Sequence, residues 1–173
     1  MLRAVVGSLV VQRLGELAWS RRNERRLRER GAVEHGRSHY PAMVLLHTAW
    51  LAGMTAESLL DGRAPGRGVR RTAFAALLLA QPLRYWAIAS LGDRWTTRVL
   101  VPPDETPVRS GPYRWIPHPN YVAVVTEIAS APLAVGAWRT AAVGTVLDAV
   151  LLRRRIAVES AALRDGSRDP VAG

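Results

Sequence analysis

Hydrophobic runs alternate with blocks of charge along this chain, and the runs have the length of membrane-crossing helices. Five of them predict spans, at residues 2–19, 41–60, 71–91, 121–137 and 138–152. The first is apolar at its start and then carries Gln12, Arg13 and Glu16. Gln12 and Glu16 share a helical face, and Arg13 sits three residues before Glu16. Such charges either face a bundle interior or neutralise one another structurally. Residues 20–37 hold seven arginines and three glutamates, which predicts a separate helix lying in solvent or headgroups. The second run is broken by little except His47 and Glu57. Gly and Pro at 61–68 then mark a turn. The third run carries Gln81, Pro82 and Arg84, and Pro82 is expected to kink it. The fourth and fifth runs are short, about 15–17 residues against the ~20 that cross the hydrocarbon. Separated by Gly136 and Ala137, they predict a tight helical hairpin, followed by Arg153-Arg154-Arg155 and a last helix to residue 163.

The fold expected is therefore all-α: an integral membrane bundle of about five transmembrane helices with a C-terminal hairpin. Residues 1–173 form one domain, with three spans in 1–91 and a loop, hairpin and last helix in 92–173. Composition narrows the function classes. All 24 basic residues are Arg, and the net charge is +10. These arginines flank apolar runs, as in membrane proteins, which speaks against a nucleic-acid partner. The chain has no Cys, which excludes thiolate catalysis and Cys-ligated metals. The four His (35, 39, 47 and 118) lack a metal-ligand spacing, so no metal is expected. Arginine counts place the block at 21–30, the loop at 92–118 and the triplet at 153–155 on the cytoplasmic side, with the N-terminus outside. The arginines at 61–71 oppose this arrangement and are fewer.

Candidate chemistry concentrates at residues 111–121, Gly-Pro-Tyr-Arg-Trp-Ile-Pro-His-Pro-Asn-Tyr. Three prolines in eight residues exclude an ordinary helix there. His118, Asn120 and Tyr121 then stand at the mouth of an apolar helix. They read either as a ligand site at the membrane surface or, with Tyr113 and Trp115, as an aromatic anchor in the headgroups. Arg155 and Glu159 share one helical face at the same membrane surface, as a site pair or a surface salt bridge. Glu127 lies inside an apolar helix, where a carboxylate is costly unless functional or paired. It acts on a substrate hydroxyl or pairs with Arg84 or Arg98.

Gly111-Pro112-Tyr113-Arg114, then His118-Pro119-Asn120-Tyr121, a hairpin, and Arg155-Ile156-x-x-Glu159 together resemble the isoprenylcysteine carboxyl methyltransferase family. Further stretches resemble its small bacterial branch linked to type III polyketide synthases: Gln12-Arg13-x-x-Glu16, Ser20-Arg21-Arg22-Asn23, Gly36-Arg37-x-His39-Tyr40-Pro41, Leu83-Arg84-Tyr85-Trp86 and Arg94-Trp95-Thr96-Thr97-Arg98. The resemblance runs from about residue 10 to 163. It implies an integral membrane enzyme using S-adenosylmethionine, active on the cytoplasmic face. It implies cofactor contacts from Tyr113, Arg114, His118, Asn120, Tyr121, Arg155 and Glu159, with Arg155 steadying Glu159. Arg84, Trp86, Trp95 and Arg98 fall in the motifs expected to meet the acceptor, and Glu127 and Arg155 are the expected catalytic groups. Two positions depart from the family pattern. Pro117 stands where a basic residue is usual, leaving Arg114 as the nearest substitute for holding the cofactor carboxylate. Ser160 replaces a second acidic residue. The acceptor implied is lipophilic and enters from the bilayer. The polyketide-linked branch favours a long-chain phenol or pyrone hydroxyl over a prenylated cysteine carboxylate or a lipid amine. A nicotinamide-dependent membrane reductase and a non-catalytic scaffold are the readings from other classes.

Overall fold

The computed structural model describes residues 1–60, 64–103 and 106–166, and among these the chain is all-α apart from one short pair of strands. Five helices carry the fold: α1 (Leu2–Glu29), α2 (Tyr40–Leu60), α3 (Arg67–Leu91), α4 (Pro119–Val135) and α5 (Trp138–Gly166). Residues 61–63 of the turn after α2 lie outside the described residues, as does the tail beyond 166.

Two predicted boundaries move. The apolar run 2–19 and the charge block after it are one helix, α1, of 28 residues. No Gly or Pro interrupts 20–29, so the change from apolar to charged side chains marks where the environment changes and not where the helix ends. Likewise the run 138–152 and the following helix are one element, α5, of 29 residues that passes through the arginine triplet. At 1.5 Å per residue α5 is roughly 43 Å long, so it is long enough to cross the ~30 Å hydrocarbon core and project beyond it. Pro82 lies inside α3, which continues as one helix through it.

The α4–α5 hairpin forms as expected, for a local reason. Gly136 takes φ 98°, and Ala137 N–H donates to Pro132 C=O at 2.8 Å while Gly136 N–H donates to Leu133 C=O at 3.2 Å. This pair of bonds satisfies the last carbonyls of α4 in a left-handed cap that favours glycine. The next helix is capped from outside: Glu57 of α2 accepts from the backbone N–H of Arg139 and of Thr140, both at 2.8 Å.

The bundle is apolar outside and polar within. Val11, Leu45, Leu79 and Val146 are 64–73 % exposed, whereas Glu16, Arg84, Glu127 and Asp148 are at most 5 % exposed. A water-soluble bundle has the reverse pattern; aliphatic side chains facing out suit lipid. Two helices, Tyr40–Leu60 and Arg67–Arg94, are long and apolar enough by themselves to cross a membrane. The apolar part of the core is Trp50, Met54, Leu77, Ile128, Ala131 and Val135, with Trp50 Nε1 donating to the Ile128 carbonyl at 3.0 Å.

At one end, the charged half of α1 binds the long loop after α3. Asn23 Nδ2 donates to the carbonyls of Gly92 (3.1 Å) and Trp95 (2.8 Å), and Thr97 N–H donates to Ser20 Oγ (2.9 Å). Strand β1 (Val33–His35) pairs antiparallel with β2 (Val99–Val101), with Glu34 opposite Leu100. Arg28 and Arg98 both donate to Glu34, each at 2.5 Å. Burial opposes ionisation of Glu34, but these two hydrogen bonds prevail and hold its carboxyl below the usual range. The arginine block, the loop and the α5 arginines thus gather at one end of the molecule. The turns at 64–66 and 136–137 lie together at the other, where a Cβ on Gly136 would stand 3.1 Å from Ala64 Cβ.

Candidate functional site: two cavities with a common wall

The loop returns to the bundle through a 3-10 turn at Gly111–Arg114. Gly111 has φ 56°, and a Cβ there would fall 2.1 Å from Ser90 Oγ. Only glycine fits at that point, which fixes how Tyr113 enters the site. Pro119 then opens α4 at its first turn, with His118 at the cap position.

Tyr121, one turn into α4, is the hub. Its hydroxyl donates to Glu159 Oε2 and accepts from Arg155 Nε at 2.9 Å. The predicted Arg155–Glu159 pair is therefore joined through a phenol. Arg155 is further fixed by the Thr97 carbonyl, which accepts from Nη1 at 2.7 Å, so α4, α5 and the loop meet on one guanidinium. The His118 ring stacks on Tyr121, with centroids 5.2 Å apart and planes at 21°. Burial and then the nearby Glu159 carboxylate push the Tyr113 phenol up from its ordinary range.

These side chains line a cavity of about 140 Å³ between the loop and the helix ends, together with Arg94, Trp95, Arg98 and Asn120. A second cavity of about 220 Å³ runs deeper between the helices. Its walls are largely apolar (Leu17, Val44, Leu51, Val124 and Leu152), and its polar members include Arg13, Glu16, His47, Arg84 and Asp148. Val44 is half exposed on the outer surface of the bundle, so the second cavity borders the lipid-facing side. Five residues line both cavities: Trp95, Thr96, Asn120, Tyr121 and Arg155. Asn120 is among them with a buried Oδ1 that has no hydrogen-bond partner.

Of the residues singled out in the sequence, Tyr113, His118, Asn120, Tyr121, Arg155 and Glu159 come together on the loop-side cavity. Arg114 does not: its guanidinium lies over the Trp115 ring at 5.5 Å, outside both cavities. Among the guanidinium groups on the loop-side cavity is that of Arg94, which donates to the Thr106 carbonyl at 3.2 Å. Trp95 lines both cavities, Arg98 the loop-side one and Arg84 the deeper one. Arg98 also covers the Tyr40 ring at 4.1 Å. Trp86 is half exposed against Trp115 and lies outside both.

Glu127 is fully buried and lies outside the lining of the deeper cavity. Its carboxylate pairs with Arg13 and accepts from Gln81 Nε2 (3.2 Å) and Gln12 Nε2 (3.3 Å). Arg84 instead holds Glu16 with two bonds, from Nε at 2.5 Å and Nη2 at 2.6 Å. The bundle interior thus contains two crossed ion pairs between α1 and the α3–α4 layer. Two groups on the deeper cavity were given no role in the sequence reading. Asp148 is a single carboxylate in the apolar run of α5, the same signal that drew attention to Glu127. His47 bonds through Nδ1 to the Met43 carbonyl at 2.9 Å. A carbonyl only accepts, so Nδ1 carries a proton, and in the neutral ring Nε2 is left as an acceptor.

Residues 73–165 match the model of the isoprenylcysteine carboxyl methyltransferase (ICMT) family. The chain belongs to the isoprenylcysteine carboxyl methyltransferase family. The matched segment covers most of α3, the loop, α4 and most of α5, which together line the loop-side cavity apart from Leu27 of α1. Two bacterial relatives extend the likeness to α1 and α2. An uncharacterized protein of Bacillus subtilis strain 168, YpbQ, is 40 % identical over 96 % of this chain and 99 % of its own length. An uncharacterized protein of Haemophilus influenzae is 25 % identical over 87 % of this chain and 88 % of its own. Membership makes this chain one of a family of membrane methyltransferases.

Proposed function

We propose that this protein transfers a methyl group from S-adenosylmethionine to the hydroxyl of a long-chain phenolic or pyrone lipid. The observation that carries the proposal is the common wall: a cavity at the loop that holds the charged side chains Arg155 and Glu159, and a more apolar cavity bordering the lipid-facing side, meet at Asn120, Tyr121 and Arg155. A reaction between a polar donor and a lipid acceptor needs the two delivered from opposite sides to one point.

The loop-side residues fit the cofactor. Its amino group and carboxylate call for an acceptor and a cation, and Glu159 and the arginines supply them. The orphaned Asn120 Oδ1 is a further acceptor left open in the wall. Bound there, S-adenosylmethionine would supply a methyl group on a sulfonium. The protein's own part is to position, to exclude water and to manage the acceptor's proton. Tyr121 holds Arg155 and Glu159 in one arrangement, and an aromatic ring beside the site suits a cationic centre. Arg155, anchored on the Thr97 carbonyl, keeps a fixed positive charge beside the acceptor oxygen. The apolar walls take the alkyl chain. His47 Nε2 is available to receive a hydroxyl proton, while an acidic hydroxypyrone needs no such help. Glu127, already held by Arg13 and two amides, serves to fix Arg13 at the floor of the deeper cavity. The active face is cytoplasmic, because the arginine-rich end is the end that holds the loop.

Purified protein in detergent should bind S-adenosylmethionine and not NADPH in a calorimeter. His118→Ala and Glu159→Ala should each weaken that binding by roughly 10- to 150-fold, the cost of one charge-assisted hydrogen bond. NADPH binding in its place would favour a reductase and end the methyltransferase reading. Unchanged cofactor affinity in both variants would remove these two residues from the site.

A further inference from the structure

Trp86, Arg114 and Trp115 belong to neither cavity, yet the fold brings them together on the outside of the bundle. The two tryptophan rings touch, with centroids 5.8 Å apart, and the Arg114 guanidinium lies 5.5 Å from the Trp115 centroid. Trp115 is 67 % exposed and Trp86 47 %. Among the described residues Arg114 has no carboxylate partner. The face of α3 that leads to this patch says what covers it. Arg71, Leu78, Leu79, Pro82, Tyr85 and Trp86 are all exposed and recur at helical spacing. A cation opens the stripe, aliphatic side chains fill its middle, aromatic rings follow, and Arg114 closes it. That order is the polarity profile of a bilayer, read from one headgroup layer to the other. From Arg67 to Trp86 the helix rises roughly 28 Å, close to the ~30 Å of hydrocarbon. Trp86 therefore stands where hydrocarbon gives way to headgroups, with Arg114 at the level of the phosphates. The patch is joined to the site through the chain. Tyr113 lines the loop-side cavity and precedes Arg114 in the same 3-10 turn. The turn rests on α3, where a Cβ on Gly111 would lie 3.1 Å from Trp86 Nε1.

We propose that Arg114 and the Trp86–Trp115 pair form a headgroup site for an anionic phospholipid, which seats the turn at Gly111–Arg114 on the membrane surface. The rings lie at the level of the glycerol, and the guanidinium donates to the phosphate oxygens. A choline headgroup brings its own cation to the phosphate and competes with Arg114, so the site selects lipids of net negative charge. The inference rests on the lipid-facing exterior of the bundle and not on the reaction, so it stands or falls apart from the methyltransferase reading.

The test places purified protein in nanodiscs of phosphatidylglycerol or of phosphatidylcholine. Hydrogen exchange is followed at the amides of Trp115 and Ile116, which both donate to the Pro112 carbonyl. In wild type, exchange should be slower in phosphatidylglycerol by about fivefold, the increment expected of one Arg at an anionic surface. Arg114→Gln should lose that difference while exchange within α4 stays as it was. Should Arg114→Gln fail to fold, rising salt carries the same comparison in wild type and should shrink the difference. Depth is read separately, in phosphatidylglycerol bilayers whose acyl chains carry bromine either next to the glycerol or near the chain end. The emission of Trp115, taken as wild type minus Trp115→Phe, should be quenched strongly by the first lipid and weakly by the second. Equal exchange in the two lipids, or a difference that survives both Arg114→Gln and high salt, would overturn the phosphate site. Stronger quenching by the second lipid, or quenching by neither, would overturn the membrane seat.

Discussion

Tyr121 is the residue on which the account depends most. Its hydroxyl ties Glu159 to Arg155, so Tyr121→Phe removes two hydrogen bonds and leaves the ring. Arg155 keeps its bond to the Thr97 carbonyl, so the fold should survive. S-adenosylmethionine affinity should fall by roughly tenfold, measured by titration calorimetry. Unaltered affinity would make the phenol a packing group. Glu127 behaves differently. Glu127→Gln removes one of the two carboxylates that hold Arg13 and leaves Glu16 at 3.1 Å, so the loss should fall below the ~3–5 kcal/mol that breaking an isolated buried pair costs. Denaturation in detergent should show this loss, with cofactor affinity kept. Full stability in that variant would contradict the pairing. The loop residues were legible because rings, prolines and polar groups stand out against apolar neighbours. The partner of Glu127 was not: Arg84, Arg98 and Arg13 are alike in sequence, and only packing decides between them. Asp148 carried the same signal as Glu127 yet lay outside any recognised motif. Arg114 had the right charge and proximity in sequence, but the 3-10 turn directs it onto Trp115.

At the level of elements, apolar runs predicted each helix, and charge predicted the wrong ends for α1 and α5. Charge reports where a helix leaves the hydrocarbon, whereas Gly and Pro report where it stops. Gly136 is the clearest stop. Gly136→Ala places a Cβ at φ 98° and within 3.1 Å of Ala64 Cβ. It should destabilise the hairpin by about 1–2 kcal/mol, read from thermal melting in detergent. An unchanged melting point would mean that the turn relaxes freely. The β1–β2 tie depends on pH through Glu34. Its carboxyl is held below the usual range in the fold, so the stabilisation is complete at neutral pH and is lost as pH falls below the usual carboxylate value of about 4.3. Hydrogen exchange at residues 99–101 should therefore quicken on acidification in wild type, relative to the intrinsic rate. In Glu34→Gln the change should be smaller. An equal response in the two proteins would assign the effect to another group.

The whole molecule is organised around its reversed polarity, with aliphatics outside and crossed ion pairs inside. This arrangement was legible only in part, since sequence gives the runs but not which face of each turns inward. The proposed orientation rests on the gathering of arginines at the loop end. Because the chain has no Cys, single cysteines at Gly66 and Ser110 are clean probes. A membrane-impermeant thiol reagent on intact cells should label Gly66→Cys and spare Ser110→Cys until lysis. The reverse pattern would invert the molecule.

The central claim is that a polar donor and a lipid acceptor meet at the wall formed by Asn120, Tyr121 and Arg155. Its most direct test follows radiolabelled methyl from S-adenosylmethionine into an organic-extractable product. Purified protein is supplied with a 5-alkylresorcinol, an alkylpyrone, a prenylated cysteine and a lipid amine in parallel. The account predicts label on a ring oxygen of the resorcinol or pyrone, and its loss with Arg155→Ala. Label confined to the prenylated cysteine or the amine, or no transfer to any acceptor by protein that binds the cofactor, would contradict it.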